Sequence, residues 1–217
     1  MEIFYPDLTA VREVIVAGWA GRDAADVQHH IDELAALGVA PPSDVPLFYR
    51  VGYETLSTAP VIDVLGSQTS GEVEPVLLRT QSDLLVGVGS DHTDRESEAY
   101  SVALSKQVCP KVSGRAFWRF ADVADRWDEM VLRSFTAERM PYQEGLAASL
   151  LNPLDLVARW EQREGRVFGP GSLMFCGTVP TLTGIARTES LTVELYDPQT
   201  GSALSHHYAI RELPVVA

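Results

Sequence analysis

Cysteine is nearly absent from this 217-residue chain, with only Cys109 and Cys176, far apart. That scarcity excludes a disulfide framework, and the spacing fits neither a zinc site nor a redox pair, so reduced thiols in a cytoplasmic protein are expected. Positive charge is also short: 17 basic against 30 acidic residues leave a net charge of −13. A nucleic-acid binder needs a basic face, as does a protein held on an anionic membrane, so neither is an expected partner. A small anionic substrate is not excluded, because a metal or a local cation pair reverses the sign inside a cleft. No apolar run approaches the roughly 18 residues of a membrane span. Met1-Glu2-Ile3 lacks the basic start of a secretory leader. Lysine is the rarest cation. Lys106 and Lys111 are the only two, both inside Lys106-Gln-Val-Cys-Pro-Lys111. Chance in an arginine-biased chain and a chosen ammonium group are both compatible with that count. Lysine, unlike arginine, changes its pKa readily on burial.

The chain is 46% hydrophobic and 22% charged, enough for a real core, and no repeat or linker divides it, so one domain over 1–217 is expected. Thr9 to Ala17 is β-branched and reads as a strand, followed by a turn at Gly18 to Gly21. Asp23 to Leu37 reads as an amphipathic helix with Val27, Ile31 and Leu34 on one face and Gly38 as its stop. Val61–Leu65, Val73–Leu78, Leu84–Val88, Trp127–Phe135 and Ser172–Phe175 read as strands, with Ser97–Leu104 as a short helix. Asn152-Pro153 opens a helix over Leu154–Gln162. Ser190–Tyr196 and Ala203–Ile210 form a hairpin across Asp197-Pro-Gln-Thr-Gly201. Many short strands with few helices predict an α+β fold that is mainly β.

Glu72-Val-Glu74 opens an apolar strand, and alternation puts both carboxylates on one face. Like charges so placed repel unless a cation lies between them, although a solvated strand end carries the same pattern. Another apolar strand ends in Ser90-Asp91-His92-Thr93-Asp94-Arg95. Asp91 can complete a three-carboxylate oxygen site, which suits Mg²⁺, Mn²⁺ or Ca²⁺ rather than zinc. Asp91 and Asp94 are equally suited to cap the helix that follows. Arg95 is either a partner of Asp94 or a substrate contact.

Glu72-x-Glu74, Ser90-Asp91-His-Thr-Asp-Arg95-Glu96, Ser105-Lys106-Gln and Cys176-Gly177-Thr178-Val-Pro180 follow one another in the order seen in the fumarylacetoacetate hydrolase family. Gly21-Arg22-Asp23 and His30-Ile-Asp-Glu33 resemble that family's Gly-Arg-Asn turn and the His-x-x-Glu of its lid. The chain most resembles a short branch known only as a domain of unknown function. It departs from the family in a shorter gap between Glu74 and Asp91 and in the valine between Thr178 and Pro180.

The resemblance implies a mixed β-roll or β-barrel with short helices. An N-terminal strand and lid helix would occupy about 1–40, the β-rich core 41–217, and the protein would be a homodimer. It implies one Mg²⁺ or Mn²⁺ on Glu72, Glu74 and Asp91, with Lys106 meeting the substrate's developing negative charge. A His30–Glu33 dyad would activate water, and Arg22, Arg95, Gly177 and Thr178 would contact a small anionic oxo acid. The implied activity is hydrolysis of a C–C bond in a 2-oxo, acylpyruvate-like acid through an enolate stabilised by the metal. Decarboxylation, hydration or isomerisation of a small oxo acid on the same fold is the enzymatic alternative. A non-catalytic metal- or ligand-binding module is the other. His29-His30 also fits the polar face of a surface helix.

Overall fold

The computed structural model describes residues 1–36, 40–137 and 139–216, apart from the side chains of His30 and Leu34. The elements run β1 (Glu13–Gly18), α1 (Ala24–Ala36), β2 (Leu47–Val51), β3 (Leu56–Ser57), β4 (Val61–Leu65), β5 (Thr69–Ser70), β6 (Val73–Arg79), β7 (Leu84–Asp91) and β8 (Thr93–Asp94). They continue with α2 (Arg95–Tyr100), α3 (Val102–Gln107), β9 (Lys111–Ser113), β10 (Trp118–Arg119), β11 (Val131–Thr136), β12 (Pro141–Leu146), α4 (Pro153–Glu164), β13 (Ser172–Phe175), β14 (Ser190–Asp197) and β15 (Ser202–Leu213). An eight-stranded sheet has the order β2-β1-β13-β6-β7-β9-β3, with β10 also on β7; a five-stranded sheet has the order β12-β11-β14-β15-β4. Pairing is mostly antiparallel, but β1–β13, β3–β9 and β4–β15 are parallel, so the fold is mixed and mainly β, as expected.

Unbroken apolar strands arise because the large sheet is covered on both faces. Alternate residues of β1 and β6 serve two cores. Ile15, Val73 and Leu77 join the main cluster shared with the five-stranded sheet, whose inward residues include Leu132, Leu191, Val193 and Leu195. Val14, Val16, Val76 and Leu78 join a smaller cluster on the other face, capped by Phe4 and Leu8. Trp118, Trp127 and Trp160 are all core residues.

Asn152 Oδ1 accepts from Leu154 N at 2.9 Å, Pro153 takes the first helical position, and Gly165 closes α4 at a φ of 66°. In α1, Val27 and Ile31 are buried as expected; its expected stop at Gly38 lies outside the described residues. Three expectations shift. The strand expected from Thr9 starts only at Glu13, because Leu8–Ala10 is 3₁₀-helical with Asp7 as its cap. The helix expected over Ser97–Leu104 is two helices, because Ser101 at φ −160° leaves the helical region and its Oγ accepts from Leu104 N at 3.3 Å, capping α3. The strand expected from Trp127 starts only at Val131, since Ala124–Glu129 is 3₁₀-helical and swings Trp127 into the core. Among the described residues no helix is long and apolar enough to cross a membrane.

Candidate active site

Glu74, Val76 and Leu78 alternate on the smaller-core face of β6, and Asp91 ends β7 on the same face. Antiparallel pairing of Val73 with Ser90 therefore brings Glu72, Glu74 and Asp91 together. One carboxylate oxygen from each lies within 4.8 Å of the others. Glu74 and Asp91 are buried and Glu72 is half-buried. Three acidic groups at that separation repel strongly in a poorly solvated site.

Local cations answer two of the three. Lys106, on α3, donates to Asp91 Oδ2, and Lys111 Nζ lies 2.8 Å from Asp91 Oδ1. Lys111 is the β9 residue in register with Asp91, so cross-strand pairing alone aims it there. Arg95 holds Glu72 Oε1 at 2.7 Å and Glu98 Oε2 at 3.0 Å, and its Nε donates to Ser70 Oγ at 2.7 Å. Asp94 instead caps α2 through Ser97 N at 2.7 Å, so it is not the partner of Arg95.

Burial resists ionisation of Asp91, but the two lysines outweigh it and hold the carboxyl far below its usual range. Lys106 is likewise opposed by burial, yet Asp91, Glu72 and Glu74 raise its ammonium above the ordinary value. Glu74 has no cation in ion-pair contact among the described residues, and Lys106 offsets its charge only in part. Burial and then Asp91 push its carboxyl well up, and Gly177 N donates to its Oε2 at 2.8 Å.

These residues fit a hard divalent ion. All three donors are carboxylates. Asp91 Oδ1 is buried and receives no hydrogen bond among the described residues, although Lys111 Nζ lies 2.8 Å away. The charge that burial resists on Glu74 is the charge a cation would stabilise.

The remaining expected site residues are distributed unevenly. Gly177 is at the cluster, at a φ of 94°. Thr178 lies beside it, but its hydroxyl donates to Val73 O at 2.8 Å and accepts from Gln143 Nε2 at 2.9 Å, pinning the loop to β6. Arg22 makes a bidentate pair with Asp128, both bonds 2.7 Å, and donates to Leu150 O. Glu33, on α1, is exposed and lies 3.3 Å from His29 Nε2; the side chain of His30 is outside the described residues.

Sequence reasoning missed three supports. Lys111 was visible only as one of two clustered lysines. Buried Gln143 accepts from Val73 N and Ser134 Oγ, each at 2.9 Å, while donating to the Thr178 loop. Tyr208 donates to Ser90 Oγ at 2.8 Å, and that oxygen also accepts from Glu72 N at 3.1 Å. Nothing local to Gln143 or Tyr208 marks them.

His92 completes the last network, with its ring nitrogens 3.2 Å from Tyr208 Oη and 3.0 Å from Thr69 Oγ1. Burial, helped by Lys111, drops its pKa to about 3. A base depressed in the folded state contributes stability above its unfolded value near 6.5, and that contribution is lost as pH falls towards 3. Linkage predicts a loss of about 2 kcal/mol from this group between pH 7 and pH 5. Urea denaturation in EDTA at the two pH values checks it: His92→Gln, which does not titrate, should lose correspondingly less, and an equal loss in both proteins would refute the assignment.

The family model for DUF2848, described as a protein of unknown function, matches residues 17–208. No curated protein matches the chain. Among solved structures it is similar to 2-keto-3-deoxy-D-arabinonate dehydratase complexed with magnesium and 2,5-dioxopentanoate (TM-score 0.62, 12% identity, 95% of this chain and 75% of that one). It is similar to a protein from Yersinia pestis CO92 assigned to the fumarylacetoacetate hydrolase family (TM-score 0.60, 16% identity, 94% and 93% covered). Fumarylacetoacetate hydrolase from the psychrophilic Exiguobacterium antarcticum is a third (TM-score 0.61, 14% identity, 92% and 76% covered). The architecture is thus that of fumarylacetoacetate hydrolase proteins, and the chain belongs to the DUF2848 family.

Proposed function

We propose that this chain is a divalent-metal-dependent hydrolase that cleaves a C–C bond in a 2-oxo, acylpyruvate-like acid. The observation that carries the reading is the convergence of Glu72, Glu74 and Asp91 on one point beside the Lys106 ammonium. Those three carboxylates would hold Mg²⁺ or Mn²⁺. When bound, the ion supplies a Lewis acid and a template for the carboxylate and keto oxygens of the substrate. Lys106, buried and held charged, would offer a second positive group where the enolate charge develops. Arg95 fixes Glu72, and the Gly177 amide fixes Glu74, so the acidic set is preorganised by the chain itself. Glu33 would orient His30 as the base that takes a proton from water, while Arg22 and Thr178 would border the substrate. A single catalytic domain over 1–217 and a homodimer belong to this reading. Two buried, unpaired thiols are consistent with a reducing, cytoplasmic setting.

One observation favours the alternative of decarboxylation, hydration or isomerisation: Glu33 and its partner His29 are both well exposed. Thermal shift with Mg²⁺, Mn²⁺, Ca²⁺ and Zn²⁺, each with and without oxalate, tests the metal-dependent core of the reading. A ligand specific to the folded state raises Tm by mass action. Mg²⁺ or Mn²⁺ should raise Tm and oxalate should raise it further, whereas no shift with any ion defeats the reading. Turnover of acetylpyruvate by Glu33→Ala then separates the reactions. Hydrolysis should fall about 10²–10⁴-fold without general-base help, while a reaction that needs only the enolate persists.

A further inference from the structure

The chain packs closely behind the Gly177 amide that holds Glu74. Gly177, which holds Glu74, lies so close to Ala20 that a Cβ on it would come within 2.8 Å of the Ala20 Cβ. Ala20 is fixed in turn, since its carbonyl accepts from Leu151 N at 2.8 Å and Arg22 N donates to Ser149 O at 2.8 Å. The preceding residue, Trp19, has a φ of 58°. A bulky side chain is strained there, and such strain concentrates at functional positions.

The Trp19 indole N–H donates to Tyr49 Oη at 3.3 Å. The Tyr49 ring lies 5.7 Å from Lys106 Nζ, the ammonium bound to Asp91. Tyr49 pairs with Val16 across β1 and β2 and packs on the smaller core, so it occupies the same face of the large sheet as Glu74 and Asp91. Gly18 makes room for it, because a Cβ there would come within 2.7 Å of Tyr49 Cε2. Both rings are only half-buried, so each keeps surface to offer a ligand.

We propose that Trp19 and Tyr49 are the specificity wall of this site and select 2-oxo acids with a flat unsaturated or aromatic group beyond the keto carbon. The proposal rests on the oxo-acid reading above. A substrate anchored at the triad and extended past Lys106 meets the Tyr49 ring and then the indole. Aromatic surfaces of this kind favour planar apolar groups over a second carboxylate.

The test titrates the full chain in saturating Mg²⁺ with pyruvate and with phenylpyruvate, reading Kd from thermal shift and calorimetry. Phenylpyruvate should bind about tenfold or more tighter, as burial of a phenyl group implies. Trp19→Ala and Tyr49→Leu should each cut that preference, the ratio of the two Kd values, at least threefold. Tyr49→Phe, which keeps the ring and loses only the bond from Trp19, should preserve most of it and covers the case that Tyr49→Leu fails to fold. Equal affinity for the two acids, or a preference that survives loss of either ring, overturns the wall while leaving the metal reading intact. Absence of any Mg²⁺ shift instead defeats the oxo-acid reading, and this proposal with it.

Discussion

Asp91→Asn should be the most damaging single substitution in the site, costing about 3–5 kcal/mol of stability and abolishing the Mg²⁺-induced rise in Tm. The first figure follows from charge. Asp91 is fully buried between Lys106 and Lys111, themselves almost wholly buried, and breaking such a set by removing one partner leaves charge uncompensated. Asparagine is nearly isosteric, so packing changes little and the loss isolates the electrostatics. The pH dependence has a definite sign. The depressed carboxyl contributes stability above its unfolded value near 3.8, and that contribution disappears only as pH falls below it. Denaturation at pH 7 in EDTA should therefore show the full deficit. Adding Lys111→Met to Asp91→Asn should recover part of it, giving the coupling energy of the pair from a double-mutant cycle. If Asp91→Asn is as stable as the parent, the triad is not an electrostatically balanced unit.

The parts of this site that were legible in the sequence are those whose spacing is local. Glu72 and Glu74 two apart at a strand's start, Asp91 at a strand's end and Lys106 as one of two lysines all fall in the same place. The terminal hairpin was equally readable, since Asp197 Oδ1 and Oδ2 accept from Gln199 N and Thr200 Oγ1 within the turn itself. Helix α4 announced its start through Asn152-Pro153, whereas its end at Glu164, closed by Gly165, lies beyond the expected Gln162. What stayed hidden depends on register and on contacts between sheets. Lys111 acquires its role because β9 pairs with β7 at Asp91. Tyr208 reaches His92 only because β15 crosses behind β7, 116 residues along the chain, and Gln143 reaches Thr178 across 35. The split between α2 and α3 was missed because Ser101 uses its own hydroxyl to cap the second helix, a local competition that hydrophobic periodicity does not register.

Lys106→Met should separate catalysis from metal binding, and in opposite directions. Turnover of acetylpyruvate is expected to fall about 10²–10³-fold, the scale of losing one preorganised donor to a developing oxyanion. The metal-dependent rise in Tm should meanwhile stay the same or grow. Lys106 now donates to Asp91 Oδ2, so removing the ammonium frees a carboxylate oxygen and removes a positive neighbour that would repel a divalent ion. Lys111 remains on Asp91 Oδ1, which keeps the carboxylate partly compensated and lets the fold tolerate the change. Methionine also preserves the apolar length of the stem beside the Tyr49 ring. Loss of the metal response together with turnover would make Lys106 a structural counter-ion. Unchanged turnover would remove it from the chemistry altogether, leaving the carboxylates as a metal site without its expected second cation.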